Sequence, residues 1–276
     1  MKRLIVNADD FGMAGPVDLG IIRGHRDGII TSASLLAGGE SAEHAASLAR
    51  ENPTLGVGAH LCLTGMIPVL DASKIPTITK DGRLLPGPLA VMSRLTFGLA
   101  DRREIKAELT AQVKRAIELG INPTHIDGHQ HLHVMPGVFP IVVEIAREFG
   151  IRAVRFPAGP SMGSMTIARA LEKLFLEALA GSQGKHLVSS GMKRPERFYG
   201  LAETGRLDAD AVMRIIKSLP DGTSELMCHP GLRDDEAVQR LGWGDGWQGE
   251  LEAVTDGRVK SLVEHTRAEL ISFGQL

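Results

Sequence analysis

Cysteine and the large aromatic residues are scarce in this chain. Two cysteines, two tryptophans and one tyrosine serve 276 residues. Neither Cys62 nor Cys228 belongs to a Cys-x-x-Cys pair, which excludes a disulfide framework and a cysteine-rich zinc site and fits a reducing, cytoplasmic setting. The chain also lacks any apolar run of the ~18 residues that mark a membrane span. Its opening MKRLIVNADD is apolar for only a few residues before two aspartates. That reads as a first β-strand, not a secretory signal with an apolar region of about 7–15 residues. A basic excess is missing too. Lysine and arginine total 31 against 33 acidic residues, a formal net charge of -2, so nucleic acid is not the expected partner. What remains is ordinary globular composition, 43% hydrophobic and 23% charged.

Strand-like and helix-like segments alternate along the chain. KRLIVNA (2–8), IITSASLLA (29–37) and LGVGAHLCL (55–63) read as strands, with helices expected after Pro16 and over ESAEHAASLARE (40–51). The Pro- and Gly-spaced stretch from Met66 to Pro88 reads as an excursion without regular structure, in the place of a lid. Asp101 with Glu104 resembles a capping box. It opens a helix with Ile105, Leu109, Val113, Ala116 and Ile117 on one stripe, closed by Gly120. A strand at THID, a helix through VFPIVVEIAREFG and a strand at IRAVRFP follow. Further helices are expected over TIARALEKLFLEALAG, over ADAVMRIIKSLP behind an Asp208 cap, and near RVKSLVEHTRAEL, with strands at SELMCHP and at ISF. This alternation implies parallel pairing with right-handed crossovers. The expected fold is one domain over residues 1–276, a distorted TIM-like (β/α) barrel with its active site at the C-terminal ends of the strands. An open doubly wound sheet is the alternative.

The polar residues are informative by position. Asp9 and Asp10 follow the first strand, and His60 lies late in the third. His125, Asp127 and His129 end the next, Arg155 ends the one after, and His229 ends SELMC. In parallel α/β folds these ends share one rim. One carboxylate with two imidazoles leaves coordination positions open on a catalytic metal. Adjacent carboxylates also divide labour, one ligating the metal and the other accepting a proton from water.

THIDGHQHLH (124–133) concentrates four histidines and an aspartate at alternate positions. Ligands of one ion lie only about 3 Å apart, whereas strand residues four apart are separated by about 13 Å. The chain must therefore bend, and Gly128 is the expected bend. His125, Asp127 and His129 are best placed for a site, while His131 and His133, past the bend, read as supporting groups. His229, before Pro230 and Gly231, is a credible general acid. Arg155 can orient Asp9 through a bidentate pair, bind substrate or serve as a structural ion pair. Trp243 and Trp247 in GWGDGWQGE (242–250) suit either an aromatic platform for a sugar ring or loop packing.

With these residues in place, the chain resembles the YdjC-like carbohydrate deacetylases, the family that includes chitooligosaccharide deacetylases. The matching pieces are VNADDFG (6–12), GIITSASL (28–35), GVGAHLCLTG (56–65), PTHIDGHQHLHVMP (123–136), IRAVRFP (151–157) and ELMCHPG (225–231), in the family's order. FYGLAETGRL (198–207) and the length resemble the hopanoid-biosynthesis-associated branch. The resemblance implies a divalent metal, magnesium or else zinc, and hydrolysis of N-acetyl groups on sugars. It implies Asp10, His60 and His129 as ligands, Asp9 as general base, His229 as proton donor, and a homodimer. One departure concerns the substrate. The family's arginine shortly before a Glu-Leu pair is replaced by Trp247-Gln248-Gly249 ahead of Glu250-Leu251.

Two rivals stand beside this reading. A metal-dependent phosphoesterase or amidohydrolase on the same barrel would carry a His-x-His pair after the first strand, where Asp9 and Asp10 stand. A non-catalytic carbohydrate-binding relative would need neither a base nor an acid.

Overall fold

The structure, a computed structural model, describes residues 1–157, 167–241 and 246–276. The chain begins with β1 (Lys2–Phe11), α1 (Gly15–Asp27), β2 (Ser32–Leu35), α2 (Ala42–Glu51) and β3 (Gly56–Leu61). It then departs through a 3-10 turn (Ala72–Lys74), the strands β4 (Thr79–Lys80) and β5 (Arg83–Leu84), and α3 (Pro88–Thr96), and returns as α4 (Arg102–Glu118). Next come β6 (His125–Gly128), a 3-10 stretch (His129–Val134), α5 (Phe139–Glu148), β7 (Ala153–Val154), α6 (Ile167–Ser182) and α7 (Gly184–Ser190). The chain continues through β8 (Arg197–Tyr199), α8 (Ala209–Ser218), β9 (Gly222–Cys228), α9 (Asp235–Leu241), α10 (Gly246–Thr255), α11 (Gly257–Thr266) and β10 (Glu269–Leu270).

The main sheet runs β7-β6-β3-β2-β1-β9-β8, and its pairings are parallel. β10 lies against Arg3 and Leu4 on the edge of β1 opposite β9, and β2 takes over that edge from Asn7. The two ends of the sheet approach each other. Val154 N donates to Lys193 O (2.9 Å) and Lys193 N to Arg152 O (2.8 Å), while Glu196 N donates to Thr223 O (2.8 Å). The stretch leading into β8 therefore bonds β7 at its start and β9 at its end. The expected distorted barrel forms, and the open sheet is excluded. β1 is paired on both edges and shows eight consecutive buried residues, as a central parallel strand does. Apolar side chains of β1, β2 and β9 pack against α1, α8, α10 and α11, and those of β3 and β6 against α4 and α5.

Several expectations are corrected. The stretch from Met66 to Pro88 is not irregular throughout: it carries the 3-10 turn and the antiparallel β4–β5 pair, and α3 starts at its end. Two glutamates of α4 secure it. Glu108, fully buried, accepts from Val69 N (2.9 Å), Leu70 N (3.0 Å) and Gln112 Nε2 (2.9 Å). Glu104 accepts from Thr77 N (2.8 Å) and Thr77 Oγ1 (2.7 Å), so it does not complete the capping box; Asp101 alone caps, through Arg103 N (2.8 Å). Ile117 is 41% exposed and leaves the buried stripe. The closing strand is Glu269–Leu270 instead of ISF, whose Phe273 begins a 3-10 turn. The strand read at IRAVRFP shrinks to Ala153–Val154.

Replacing Glu108 with Gln sets an amide N–H₂ against backbone donors. It should cost about 2–3 kcal/mol, as an unpaired buried donor does, and speed amide exchange at Val69 and Leu70. Denaturant midpoints and hydrogen exchange measure this, and unchanged exchange at those two amides would contradict the anchoring role.

Candidate metal and catalytic site

The Asp9-Asp10 pair depends on a local irregularity. β1 sets Ala8 opposite Ala33 but Phe11 opposite Leu35. Three steps of one strand thus face two of the other, which is a β-bulge. Within it Asp10 has φ 65°, left-handed backbone that costs a non-glycine residue about 1–3 kcal/mol. Adjacent residues of a regular strand point to opposite faces. The bulge breaks that rule, and both aspartates line one cavity. Asp18 steadies the strand end by accepting from Gly12 N (2.7 Å).

His60 comes from the end of β3, and His129 is the first residue past β6. Asp10 Oδ1 lies 2.9 Å from His129 Nδ1 and 3.4 Å from His60 Nε2. One donor atom from each of the three residues lies within 4.8 Å of the other two. Asp10 Oδ2 is buried and, among the described residues, has no hydrogen-bond partner. Burial opposes ionisation of Asp10, yet the His129 and His60 imidazoles hold its carboxyl well below the usual range. Burial likewise opposes a charge on His60, but Asp127 and Asp10 push it up to about 10. The cluster thus favours positive charge at its centre, and a carboxylate with two imidazoles suits a divalent ion. Donor atoms of Asp9, His60 and Asp127 also lie within 4.8 Å of one another. Arg155 already supplies the positive charge there, which disfavours a second cation.

Arg155 is fully buried. Its Nη1 and Nη2 donate to Asp9 Oδ2 and Oδ1 (2.6 Å each), Nη1 lies 3.0 Å from Asp127 Oδ2, and Nε donates to Glu225 Oε1 (2.7 Å). Asp127 in turn receives His60 Nδ1 at 2.8 Å, which turns the opposite ring nitrogen, Nε2, toward Asp10. Ser34 Oγ donates to Asp127 Oδ2 (2.7 Å), and Asn7 Nδ2 donates to Ser34 Oγ (2.8 Å) and Asp9 Oδ1 (2.9 Å). Burial raises Glu225 to about 7 against the pull of Arg155.

The histidine segment separates into distinct roles of contact. His125 is buried away from the cavity, stacked on Phe273 at 3.8 Å, with Nε2 3.2 Å from Ser34 Oγ. Burial pushes it down to about 4. His133 Nε2 donates to Arg155 O (3.0 Å). The expected bend at Gly128 is corrected. Gly128 is extended (φ -164°), and the left-handed turn falls on Gln130 and His131 (φ 54° and 56°). Gly128 is needed for space, since a Cβ there would come within 3.0 Å of His133.

His229 faces the same cavity, about 540 Å³ in volume, as Asp9, Asp10, His60, His129 and His131. Glu250, fully buried, accepts from His229 N (2.6 Å) and Gly205 N (2.6 Å), and its Oε2 lies 3.8 Å from His229 Nδ1. Among the described residues the cavity lining holds no lysine or arginine. Trp247 is 1% exposed and packs on Gly231 in the core, so it is no platform for a sugar; Trp243 lies outside the described residues. Sequence reasoning missed Asn7, Ser34, Glu225 and Glu250 as members of the site. Strand alternation offered a signal for two of them, since Asn7 shares the face of Asp9 and Glu225 the face of His229.

A curled parallel (β/α) barrel carrying an Asp–His–His cluster and a guanidinium-held carboxylate at its C-terminal rim is the class of protein seen here. The chain belongs to the YdjC-like family, whose model, described as "YdjC-like protein", matches residues 3–265. It is 34% identical to a carbohydrate deacetylase of Brevibacillus brevis over 99% of both chains. It is also 34% identical to a chitooligosaccharide deacetylase of Salmonella typhimurium, over 94% of this chain and 93% of the relative. A crystal structure of a protein from Enterococcus faecalis superposes with a TM-score of 0.79 at 23% identity over 99% of this chain and 98% of that one. That likeness establishes the fold alone.

Glu225 carries a pH signature. Its folded pKa exceeds the ordinary 4.5 and reaches about 7, so the folded state holds a proton that the unfolded chain releases. Its contribution is full below pH 4.5 and is lost as pH rises through about 7. Urea midpoints of Glu225→Gln should decline less than those of the wild type over this window. Parallel profiles would show that Glu225 is ionised throughout.

Proposed function

We propose that this YdjC-like protein is a metal-dependent deacetylase that removes N-acetyl groups from an amino sugar or oligosaccharide, acting as one catalytic unit over residues 1–276. The carrying observation is convergence: the Asp10–His60–His129 cluster, the Asp9 carboxylate and the His229 imidazole all border one cavity. The names of the full-length relatives support the same chemistry.

In this reading Asp10, His60 and His129 hold a divalent ion, magnesium or alternatively zinc, which supplies Lewis-acid polarisation of the acetamide carbonyl. Asp9 accepts the proton of the attacking water. Its Oδ1 already receives Arg155 Nη2 and Asn7 Nδ2, and its Oδ2 receives Arg155 Nη1. With about two lone-pair sites per carboxylate oxygen, Oδ2 keeps one for the proton. Arg155 fixes that oxygen's direction. His229 protonates the departing amine, and the Glu250 carboxylate behind it steadies the imidazolium. Asp127 orients His60, and Ser34 links Asp127 to Asn7 and His125. The reading extends to a cytoplasmic homodimer without a nucleic-acid partner.

The phosphoesterase rival fares worse on electrostatics. A phosphate entering this cavity meets Asp9 and Asp10 and, among the described residues, no lysine or arginine on the lining. A purely binding relative has no use for a guanidinium-held base or a carboxylate-backed histidine.

Acetate release from N,N′-diacetylchitobiose, after chelation and with magnesium or zinc restored, tests the proposal. Asp9→Asn should lower kcat by about 10²–10⁴, the usual loss of a general base, while keeping metal affinity. Asp10→Asn should lose metal in a calorimetric titration. Full activity of the chelated enzyme, or of Asp9→Asn, would refute the mechanism, and turnover of p-nitrophenyl phosphate in its place would favour the rival.

A further inference from the structure

His131 stands apart from the other three histidines of its segment. Ring nitrogens of His125, His129 and His133 meet Ser34 and Thr124, Asp10, and the Arg155 carbonyl respectively. His131 is only 6% exposed, and among the described residues no hydrogen bond reaches its ring; its Nδ1 is enclosed and unpartnered, as is His133 Nδ1, but the His133 ring still bonds through Nε2. The His131 ring sits edge-on to Phe198, with centroids 5.5 Å apart and planes at 88°, and it borders the cavity that holds Asp9, Asp10 and His229. The backbone beneath it is also costly, because Gln130 and His131 are consecutive non-glycine residues with φ 54° and 56°. Thr64 Oγ1 donates to Gln130 Oε1 (2.9 Å) and helps hold that turn.

A largely buried imidazole without a partner is unfavourable, and strained backbone of this kind concentrates where ligands are gripped. Thr64 and Phe198 support the turn and the ring, but among the described residues no group hydrogen-bonds the imidazole, so the cavity it borders is where a partner can enter. Its chemistry is constrained by the lining. Two carboxylates and, among the described residues, no lysine or arginine disfavour an anion. Leu132, Met135 and Met227 provide apolar wall for the C–H face of a ring. We infer that His131 is a substrate-contacting residue that hydrogen-bonds a hydroxyl of a neutral sugar ring, with the left-handed Gln130–His131 turn presenting it. This deepens the deacetylase reading and rests on it for the identity of the sugar.

The test uses the metal-loaded, full-length protein with N,N′-diacetylchitobiose. His131→Asn should raise KM about tenfold, the loss of a net hydrogen bond, with kcat within about threefold and metal affinity unchanged in a calorimetric titration. His131→Phe, which keeps an aromatic ring against Phe198, should show the same KM effect. A KM within twofold of wild type for His131→Phe would reduce the residue to packing and overturn the inference. Should His131→Asn misfold, ¹⁵N imidazole NMR of the wild type decides. A saturable shift of the His131 resonance on adding the disaccharide supports the contact, and no shift while other site signals move refutes it. Absence of acetate release from wild type would count against the deacetylase reading alone, because the NMR titration still reports whether His131 meets the sugar.

Discussion

Arg155 binds the interior of the barrel together. Its buried guanidinium engages Asp9 from β1, Asp127 from β6 and Glu225 from β9, three strands that the chain visits far apart in sequence. Its own backbone N continues the β6–β7 pairing by donating to Ile126 O (3.0 Å). A charge in this position is stable only while its partners surround it, and removing one member of a buried pair typically costs about 3–5 kcal/mol. Burial raises Glu225 to about 7 even against this guanidinium. The placement of Asp9 and His60 then follows. Asp9 is aimed by the fork, and Asp127, held by the same guanidinium, turns His60 so that Nε2 meets Asp10.

The bulge in β1 completes the arrangement by doubling what one strand end offers. A regular strand would send Asp10 away from the cavity, whereas the left-handed residue brings it beside Asp9. Two neighbouring carboxylates then experience different surroundings. Asp9 is clamped by a guanidinium, and Asp10 lies between two imidazoles with one oxygen unpartnered among the described residues. Their difference in partners is what separates a base from a ligand in the proposed mechanism. The cavity over them is walled in part by α3, at the end of the excursion that Glu104 and Glu108 tie to α4. Apolar wall and ionic floor suit a ligand with a carbon-rich face and a polar group to be processed.

Much of the fold was legible because its signals are local. Apolar and β-branched runs, helix stripes and turn residues placed the parallel alternation, and strand-end polar residues located the rim. Convergence of Asp9, Asp10, His60, His129 and His229 was readable for that reason. Short elements were harder. The β4–β5 pair and the 3-10 turn are only two or three residues each, and the segments beside them are anchored from across the fold, where α4 glutamates accept from the backbone N–H groups of Val69, Leu70 and Thr77. Glu104 looked like half of a capping box, but Thr77 offered it a better-placed pair of donors.

Residue types and spacing determined a parallel α/β alternation with carboxylates and imidazoles at its strand ends, since both are properties of neighbouring residues. They left an open sheet as an alternative that only the contacts between β7, β8 and β9 exclude. Only the tertiary structure decided which histidine meets which partner. His125 stacks on Phe273 from the chain terminus, His133 bonds the Arg155 carbonyl, and His131 faces the cavity. It also moved the bend from Gly128 to Gln130 and His131, and it buried Trp247 in the core. The physical reason is distance: donors that share one ion lie about 3 Å apart, and only the curl of the sheet brings β1, β3 and β6 that close.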